Sequence, residues 1–327
     1  MKGVTSIFHY LFRRLLIGIV VVISSVVLLF LLMRFIPGSP VGRLVGYEYF
    51  NAETANYLTE KYGLDKPVYY QLLVYLKGLI QGDFGYSYIS NCSVWDVISD
   101  RVFPTLVLVL PTTIISFLLG LMLSLESMSR ETLAKVLDKI TAFIASLPVY
   151  VLAIFLLFIL SYFLKLLPSV GMYYTRVEYE GLLKFIDLIK HATLPILSLT
   201  LIDIAYYYRI SRSSFLKEQS KNYCNYLRVN GVDDKKILKK YILKNAIMPS
   251  INVLSFSMTR MVTGALYIEI IFAWPGIGSL IYNSILTRDY MVLSAAFFMI
   301  AVFIVVFMTL IDIVYVLIDP RIRRLTL

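Results

Sequence analysis

Four ionisable residues interrupt runs that are otherwise apolar: Asp203 in 192–208, Arg260 and Glu269 in 247–272, and Asp312 in 290–318. An ion at mid-bilayer costs from about 2.5 kcal/mol upward, so each of these side chains needs a partner or a wet cavity. The chemistry open to them is charge pairing or contact with a polar solute. Arg260 has no acid at i±3 or i±4 on its own helix. Asp203 lies at about the same depth, eleven to twelve residues from the end of its span, and is the expected partner. An ion pair that fixes helix packing is preferred here to a solute contact. Glu269 is expected near the outer end of its span, and Asp312 is expected to snorkel or cap at the opposite end. Trp274 and Tyr282 read as interface aromatics.

Catalysis has few candidates. Hydroxyls cluster in "ISSVV" and "RSSF", but the two histidines, His9 and His191, stand at the ends of spans, so no Ser–His pair forms at mid-depth. The two cysteines, Cys92 and Cys224, fall on opposite sides of the membrane in the topology below, which excludes a disulfide between them and a Cys/His metal site. No G-x-x-x-x-G-K-[ST] phosphate loop is present, and "PGIG" is too short to serve as one. No catalytic residue, metal ligand or cofactor is expected in this chain.

The elements that carry these residues are membrane helices. Of 327 residues 59% are hydrophobic, mean hydropathy is +0.77 and only 16% are charged, where soluble domains carry about 25%. Six runs are long enough to cross about 30 Å of hydrocarbon: 15–33, 102–125, 140–164, 192–208, 247–272 and 290–318. The first follows Arg13 and Arg14 as a signal peptide would, but it is too long for an apolar signal core and "RFIPGSP" is no small-residue cleavage site.

Six spans place both termini on one side. That side carries nineteen Lys and Arg against seven acids, and the other carries eleven of each. Both termini are therefore expected in the cytoplasm. The net charge of +10 reads as a topology signal, which removes nucleic acid as a partner. The outer side holds one long loop punctuated by "PGSP", "YGLDKP" and "GDFGYS", with an amphipathic stretch "VYYQLLVYLKGLI" expected to lie as a helix in the interface.

The cytoplasmic loop before 247–272 is the most polar part of the chain, with ten Lys and Arg but three acids between Arg209 and Met248. The pattern predicts one helix over 213–227, a left-handed stop at Asn230 and Gly231, and a second helix opening at Asp233 and Asp234. In that helix Ile237, Leu238, Tyr241 and Ile242 share a face opposite Lys235, Lys236, Lys239 and Lys240. A basic amphipathic anchor on anionic lipid explains the lysines. It does not explain a glycine between two helices, which is the shape of a docking element.

This loop resembles the one through which permease subunits of ABC importers grip their ATPases, in the form found in dipeptide/oligopeptide permeases. Arg228 precedes Gly231 by three residues, and "NAIMP", holding Asn245, Ala246 and Pro249, ends eighteen residues after the glycine. "RFIPGSP", "YGLDKP", "GDFGYS", "IEIIFAWPGIGSLIYNSILTRDY" and "DPRIR" resemble further motifs of the same family in the same order. Asn225, Tyr226 and Leu227 replace the usual Glu-Ala-Ala, and Ser39 replaces an acid in the "PGSP" turn.

The resemblance implies an all-α integral membrane protein with the type I importer permease fold and six transmembrane helices. Its parts are 1–33 as cytoplasmic start and first helix, 34–101 as external cap, and 102–327 as a five-helix core with the coupling loop at about 213–249. It implies ATPase coupling through Arg228, Gly231, Asp234, Asn245, Ala246 and Pro249, with Arg228 and Asp234 pairing across the ATPase interface. Docking of a substrate-binding protein falls to Asp65, Pro67, Gly82, Asp83 and Gly85, and the pathway to Asp203, Arg260 and Glu269. Two ATP-binding cassette subunits, a homologous second permease, the binding protein and membrane lipid are the implied partners; peptides, oligosaccharides or nickel are the implied substrates. An ion-gradient-driven transporter is the alternative, though the inverted repeats it favours are missing.

Overall fold

The computed structural model describes residues 2–35, 52–174 and 179–318. Their long elements are all helical, as apolar runs without alternation require. In chain order they are α1 (Lys2–Phe35), α2 (Ala52–Tyr62), α3 (Val68–Ile80), α4 (Val94–Ser129), α5 (Glu131–Ser146), α6 (Val149–Leu156), α7 (Gly181–Gln219) and α8 (Asn222–Val229). Then Asp234–Lys236, a π-helical stretch Ile237–Ile242 and Leu243–Ala246 run together as α9, followed by α10 (Met248–Ile271), α11 (Ile277–Thr287) and α12 (Tyr290–Ile318). Two short strands, β1 (Tyr86–Ser87) and β2 (Cys92–Ser93), pair antiparallel.

Among the described residues, four helical stretches have the length and apolarity of a bilayer crossing: Phe12–Met33, Val94–Ser129, Gly181–Gln219 and Tyr290–Val314. The pair Glu131–Ser146 and Val149–Phe163 makes a fifth if its two arms are one span, but it is bent by 102°. The uninterrupted crossing expected over 140–164 is therefore broken. Pro148 stands at the break: it has no N–H to donate and its ring disfavours the helical conformation at Leu147, whose ψ is 134°. Beyond the bend α6 passes into a π-helical turn, Leu157–Phe163.

The helix α7 has 39 residues, about 58 Å at 1.5 Å per residue, and so projects well beyond the hydrocarbon. It stops at Ser220, where Lys221 turns extended (ψ 146°), and α8 starts afresh at Asn222. The single helix expected over 213–227 is corrected by this break. Ser and Asn offer the backbone competing hydrogen bonds, and Glu218 holds the turn, accepting from Tyr223 Oη at 3.0 Å and facing Lys221 Nζ at 2.6 Å.

The chain forms two compact units, one built on Leu106–Trp274 and the other on Phe12–Thr105 with Pro275–Val306. In the first, Leu108, Ala153, Leu194, Ile268, Phe272 and Trp274 make one buried cluster. Trp274 is fully buried, so its reading as an interface aromatic is corrected. The reason is local: Ala273 takes a left-handed turn (φ 47°), and the Trp274 N–H bonds back to the Glu269 carbonyl at 2.8 Å, which folds the indole inward. Tyr282 is 43% exposed. Gly120 of α4 meets α7 closely; a Cβ there would stand 2.5 Å from the Tyr207 Cβ and 3.1 Å from the Tyr208 nitrogen.

In the second unit α3 forms where the amphipathic stretch predicts it. Phe84 stacks on Trp95 with ring centroids 5.5 Å apart, and the Ser87 hydroxyl donates to Asp289. Thr105 Oγ1 accepts from the Ile277 N–H at 2.8 Å.

Candidate functional site

The polar loop between α7 and α10 folds on its own apolar face. Phe215, Cys224, Ile237, Leu238, Ile242 and Ala246 are buried together, while Lys235, Lys236, Lys239 and Lys240 remain exposed. The amphipathic division read from the sequence is the division observed. Burial above all pushes the Tyr223 phenol up from its ordinary range at the edge of this cluster.

Gly231 stands at the joint with φ +76°, in the left-handed region, and its N–H donates to the Arg228 carbonyl at 2.9 Å. A Cβ at Gly231 would meet nothing within 4 Å, so the requirement for glycine is conformational rather than steric. Asp233 caps α9, its carboxylate accepting from the N–H groups of Lys235 at 3.0 Å and Lys236 at 3.3 Å. Arg228 Nε donates to Asp234 Oδ1 at 2.8 Å, and Arg228 Nη1 to Asn225 Oδ1 at 3.1 Å. The turn at Gly231 brings the Arg228 and Asp234 side chains together, so within the chain they close the knuckle.

Ser214 Oγ donates to the Ala246 carbonyl at 2.8 Å, which ties α7 to the end of α9. Asn245 is exposed beside Tyr223, and Pro249 occupies the first turn of α10, where its missing N–H costs nothing. On the outside of the knuckle Tyr226 is 70% and Val229 88% exposed, two apolar side chains at the tip of a charged loop.

Within the apolar region, Arg260 Nη2 donates to Asp203 Oδ1 at 3.0 Å. The Arg260 guanidinium also lies over the Tyr206 ring, 3.8 Å from its centroid. This is the pair that equal depth predicts. Asp203 is buried, but the Arg260 side chain is 44% exposed. Glu269 is fully buried within the chain, where the inward turn at Trp274 packs the end of α10 into the core. Asp312 is buried as well and does not snorkel.

Two clusters escaped the sequence reading. Asp138 of α5 accepts from Arg212 Nε at 3.0 Å and from Tyr208 Oη at 2.9 Å, joining α5 to α7. Its partners lie seventy residues and more away in sequence, so no local spacing signals it. His191 Nδ1 lies 3.1 Å from Asp187 Oδ1, both buried, with the Tyr174 N–H donating to Asp187 Oδ2 at 2.9 Å. Here the i, i+4 spacing was a signal available in the sequence.

The stretch expected to form a cap holds α2, α3 and the β1–β2 hairpin. Pro67 precedes α3, and Gln71 Nε2 donates to the carbonyls of Leu64 at 3.3 Å and Lys66 at 2.7 Å, closing the "YGLDKP" turn. Asp65 faces Lys66 at 3.8 Å at the surface. Gly82 (φ 76°) and Gly85 (φ 87°) shape the next turn, where Asp83 accepts from the Gly85 N–H at 2.9 Å and pairs with Lys61 at 3.1 Å. Lys61, Asp83 and Gly85 border a cleft of 420 Å³ lined also by Tyr57, Tyr86 and Tyr88. The "PGSP" turn with Ser39, and the "DPRIR" end, lie outside the described residues.

Residues 116–324 match the family described as "Binding-protein-dependent transport system inner membrane component", and 7–109 match its N-terminal component. The chain is 32% identical over 318 residues to the oligopeptide transport system permease protein AppB of Bacillus subtilis, covering 96% of this chain and 99% of that one. It is 29% identical over 324 residues to the glutathione transport system permease protein GsiC of Escherichia coli strain K12, with the same coverage. The fold is similar to that in an inward-facing structure of the MetNI methionine ABC transporter, with a TM-score of 0.52 at 16% identity, over 71% of this chain and 96% of that one. These matches support the ABC permease reading and not the ion-driven alternative. With apolar helices long enough for several crossings, this chain belongs to the inner membrane components of binding-protein-dependent transport systems, the permease subunits of ABC importers rather than enzymes.

Proposed function

We propose that this permease forms one half of a twelve-helix pathway with a homologous but different second permease, above two ATPases, and carries peptides or related small solutes. Six crossings with both termini in the cytoplasm put the basic knuckle on the ATPase side and the 34–101 cap outside, with 102–327 as the core. The excess of Lys and Arg on the knuckle side supports this orientation. Names of relatives that carry oligopeptides and glutathione support the solute class.

The observation that carries the coupling role is the knuckle itself. Gly231, Arg228 and Asp234 make a closed joint whose inner face is spent on its own core, while Tyr226 and Val229 stand out at its tip. An anionic lipid surface calls for the lysines but not for this joint. Asn245, Ala246 and Pro249 link the joint to α7 and α10, so movement of the ATPases passes to the membrane. The cap, through Asp65, Pro67, Gly82, Asp83 and Gly85, presents its tyrosine-lined cleft to the binding protein. Asp203, Arg260 and Glu269 serve the pathway.

Purification of the assembled transporter and its reconstitution in vesicles with the binding protein tests the proposal. The expected result is ATP-dependent peptide uptake by a complex that contains a second, different permease. A working unit with two copies of this chain sinks the heterodimer, and uptake that follows an ion gradient without ATP sinks the coupling.

A further inference from the structure

The helix α7 carries a second set of cations that the coupling joint and the Asp203–Arg260 pair do not use. A cleft of 580 Å³ opens along it, with Tyr206, Arg209, Ser213 and Lys217 on one wall and Ala145 and Pro249 opposite. Arg209, Ser213 and Lys217 are spaced four apart and so lie on one face. At 1.5 Å per residue, Arg209 stands about 9 Å and Lys217 about 21 Å along the axis from Asp203. All three are exposed.

Neighbouring cations are neutralised. Arg212 is held by Asp138 at 3.0 Å, and Lys221 by Glu218 at 2.6 Å. Among the described residues no acid pairs with Arg209 or Lys217. Tyr206 joins this wall to the membrane pair, because its ring also lies under Arg260. The result is a continuous stripe from Arg260 through Tyr206, Arg209 and Ser213 to Lys217, whose one acid, Asp203, is already offset by Arg260. Such a concave, uncompensated positive surface concentrates anions and repels cations.

We infer that this cleft is an anion subsite on the way out, which receives the carboxylate end of the transported solute. The inference rests on the peptide reading above, since a peptide brings a free carboxylate and a nickel ion does not. A lipid phosphate shares the chemistry. The stripe runs along the part of α7 that projects beyond the hydrocarbon, within reach of headgroups, so the test separates the two sources.

The test uses the assembled transporter in phosphatidylcholine nanodiscs with Ser213→Cys, the reaction of the parent being subtracted as background. The rate of labelling by an anionic and by a cationic methanethiosulfonate reagent reads the local potential, with trialanine and trialanine amide as competing solutes. The anionic reagent is expected to react about 10-fold faster than the cationic one. Arg209→Gln with Lys217→Gln should bring the two rates to parity in a transporter that still co-purifies with its ATPases. Trialanine should protect the cysteine and its amide should not.

Equal rates for the two reagents in the unsubstituted cleft, or equal protection by the acid and the amide, overturn the inference. Slower labelling in phosphatidylglycerol nanodiscs that trialanine does not change assigns the cleft to lipid and also overturns it. A preference for the anionic reagent in a transporter that takes up no peptide overturns the peptide reading alone and leaves the anion subsite standing.

Discussion

Arg260 and Asp203 stand 57 positions apart in the chain yet meet at 3.0 Å, and Arg260 covers the ring of Tyr206 one turn along from its acid. The pair ties α10 to α7 within an apolar layer. Its acid is nearly covered while its base keeps one side open. A buried acid with an open base suits a pair that holds packing and still presents a cation to a wet space.

Removal of one partner therefore costs more than removal of both. Arg260→Gln leaves Asp203 as an uncompensated ion, for which about 3 kcal/mol is the lower end of the usual range, reduced here because Arg260 is partly exposed. Asp203→Asn with Arg260→Gln should recover about 1 kcal/mol or more of that loss. Thermal unfolding of the two variants and of Asp203→Asn in detergent measures the coupling. Strict additivity would show that the pair contributes nothing to packing.

Gly231→Val forces a β-branched residue into φ +76°, at a cost of about 1–2 kcal/mol, with no clash to relieve. The chain should insert and bind its partners, while ATP hydrolysis no longer drives uptake. Lys239→Gln, on the exposed face, should change uptake little. Paired measurements of hydrolysis and uptake in vesicles decide this, and normal uptake by the valine variant removes the joint from the mechanism.

In the cap, Gly85→Val meets φ 87° and strains the turn that Asp83 closes. Stimulation of ATP hydrolysis by the binding protein should fall several-fold, with hydrolysis in its absence unchanged. Asp83→Asn keeps the bond to the Gly85 N–H but loses the ion pair with Lys61, which is exposed enough to contribute less than about 1 kcal/mol, so its effect should be small. A large effect of Asp83→Asn and none of Gly85→Val would reverse the assignment.

Gly120→Leu serves as a packing probe. Its Cβ would lie 2.5 Å from the Tyr207 Cβ and 3.1 Å from backbone, neither of which is a flexible chain end. Overpacking of this kind costs about 1–3 kcal/mol or more. Yield of folded protein in membranes should drop, and a stable, active leucine variant would mean that α4 and α7 stand further apart than described.

Much of the molecule follows from local chemistry. Apolar runs must become helices in a bilayer because every backbone group needs an internal partner. Asn230 and Gly231 stop α8, Asp233 caps α9, and the lysines face outward; each is a consequence of neighbours within a few residues, and each is legible in the sequence. Even the Arg260–Asp203 pair was readable, since depth in a membrane is counted along the chain.

What tertiary structure decided is which of several locally allowed outcomes prevails. Pro104 and Pro111 stay within the continuous α4, and Pro195 within α7, whereas Pro148 separates two helices by 102°. The proline ring is the same in all four places, so packing around it selects a helix or a bend. Arg228 and Asp234 are six residues apart in the chain, and the left-handed turn at Gly231 sets their side chains 2.8 Å apart. Glu269 and Trp274 sit in a stretch that reads as a membrane boundary, and the turn at Ala273 packs them inside. Local sequence states what a residue is able to contact; only the folded chain determines which contact is nearest, because a charge or an indole is satisfied by whichever partner the backbone brings within reach.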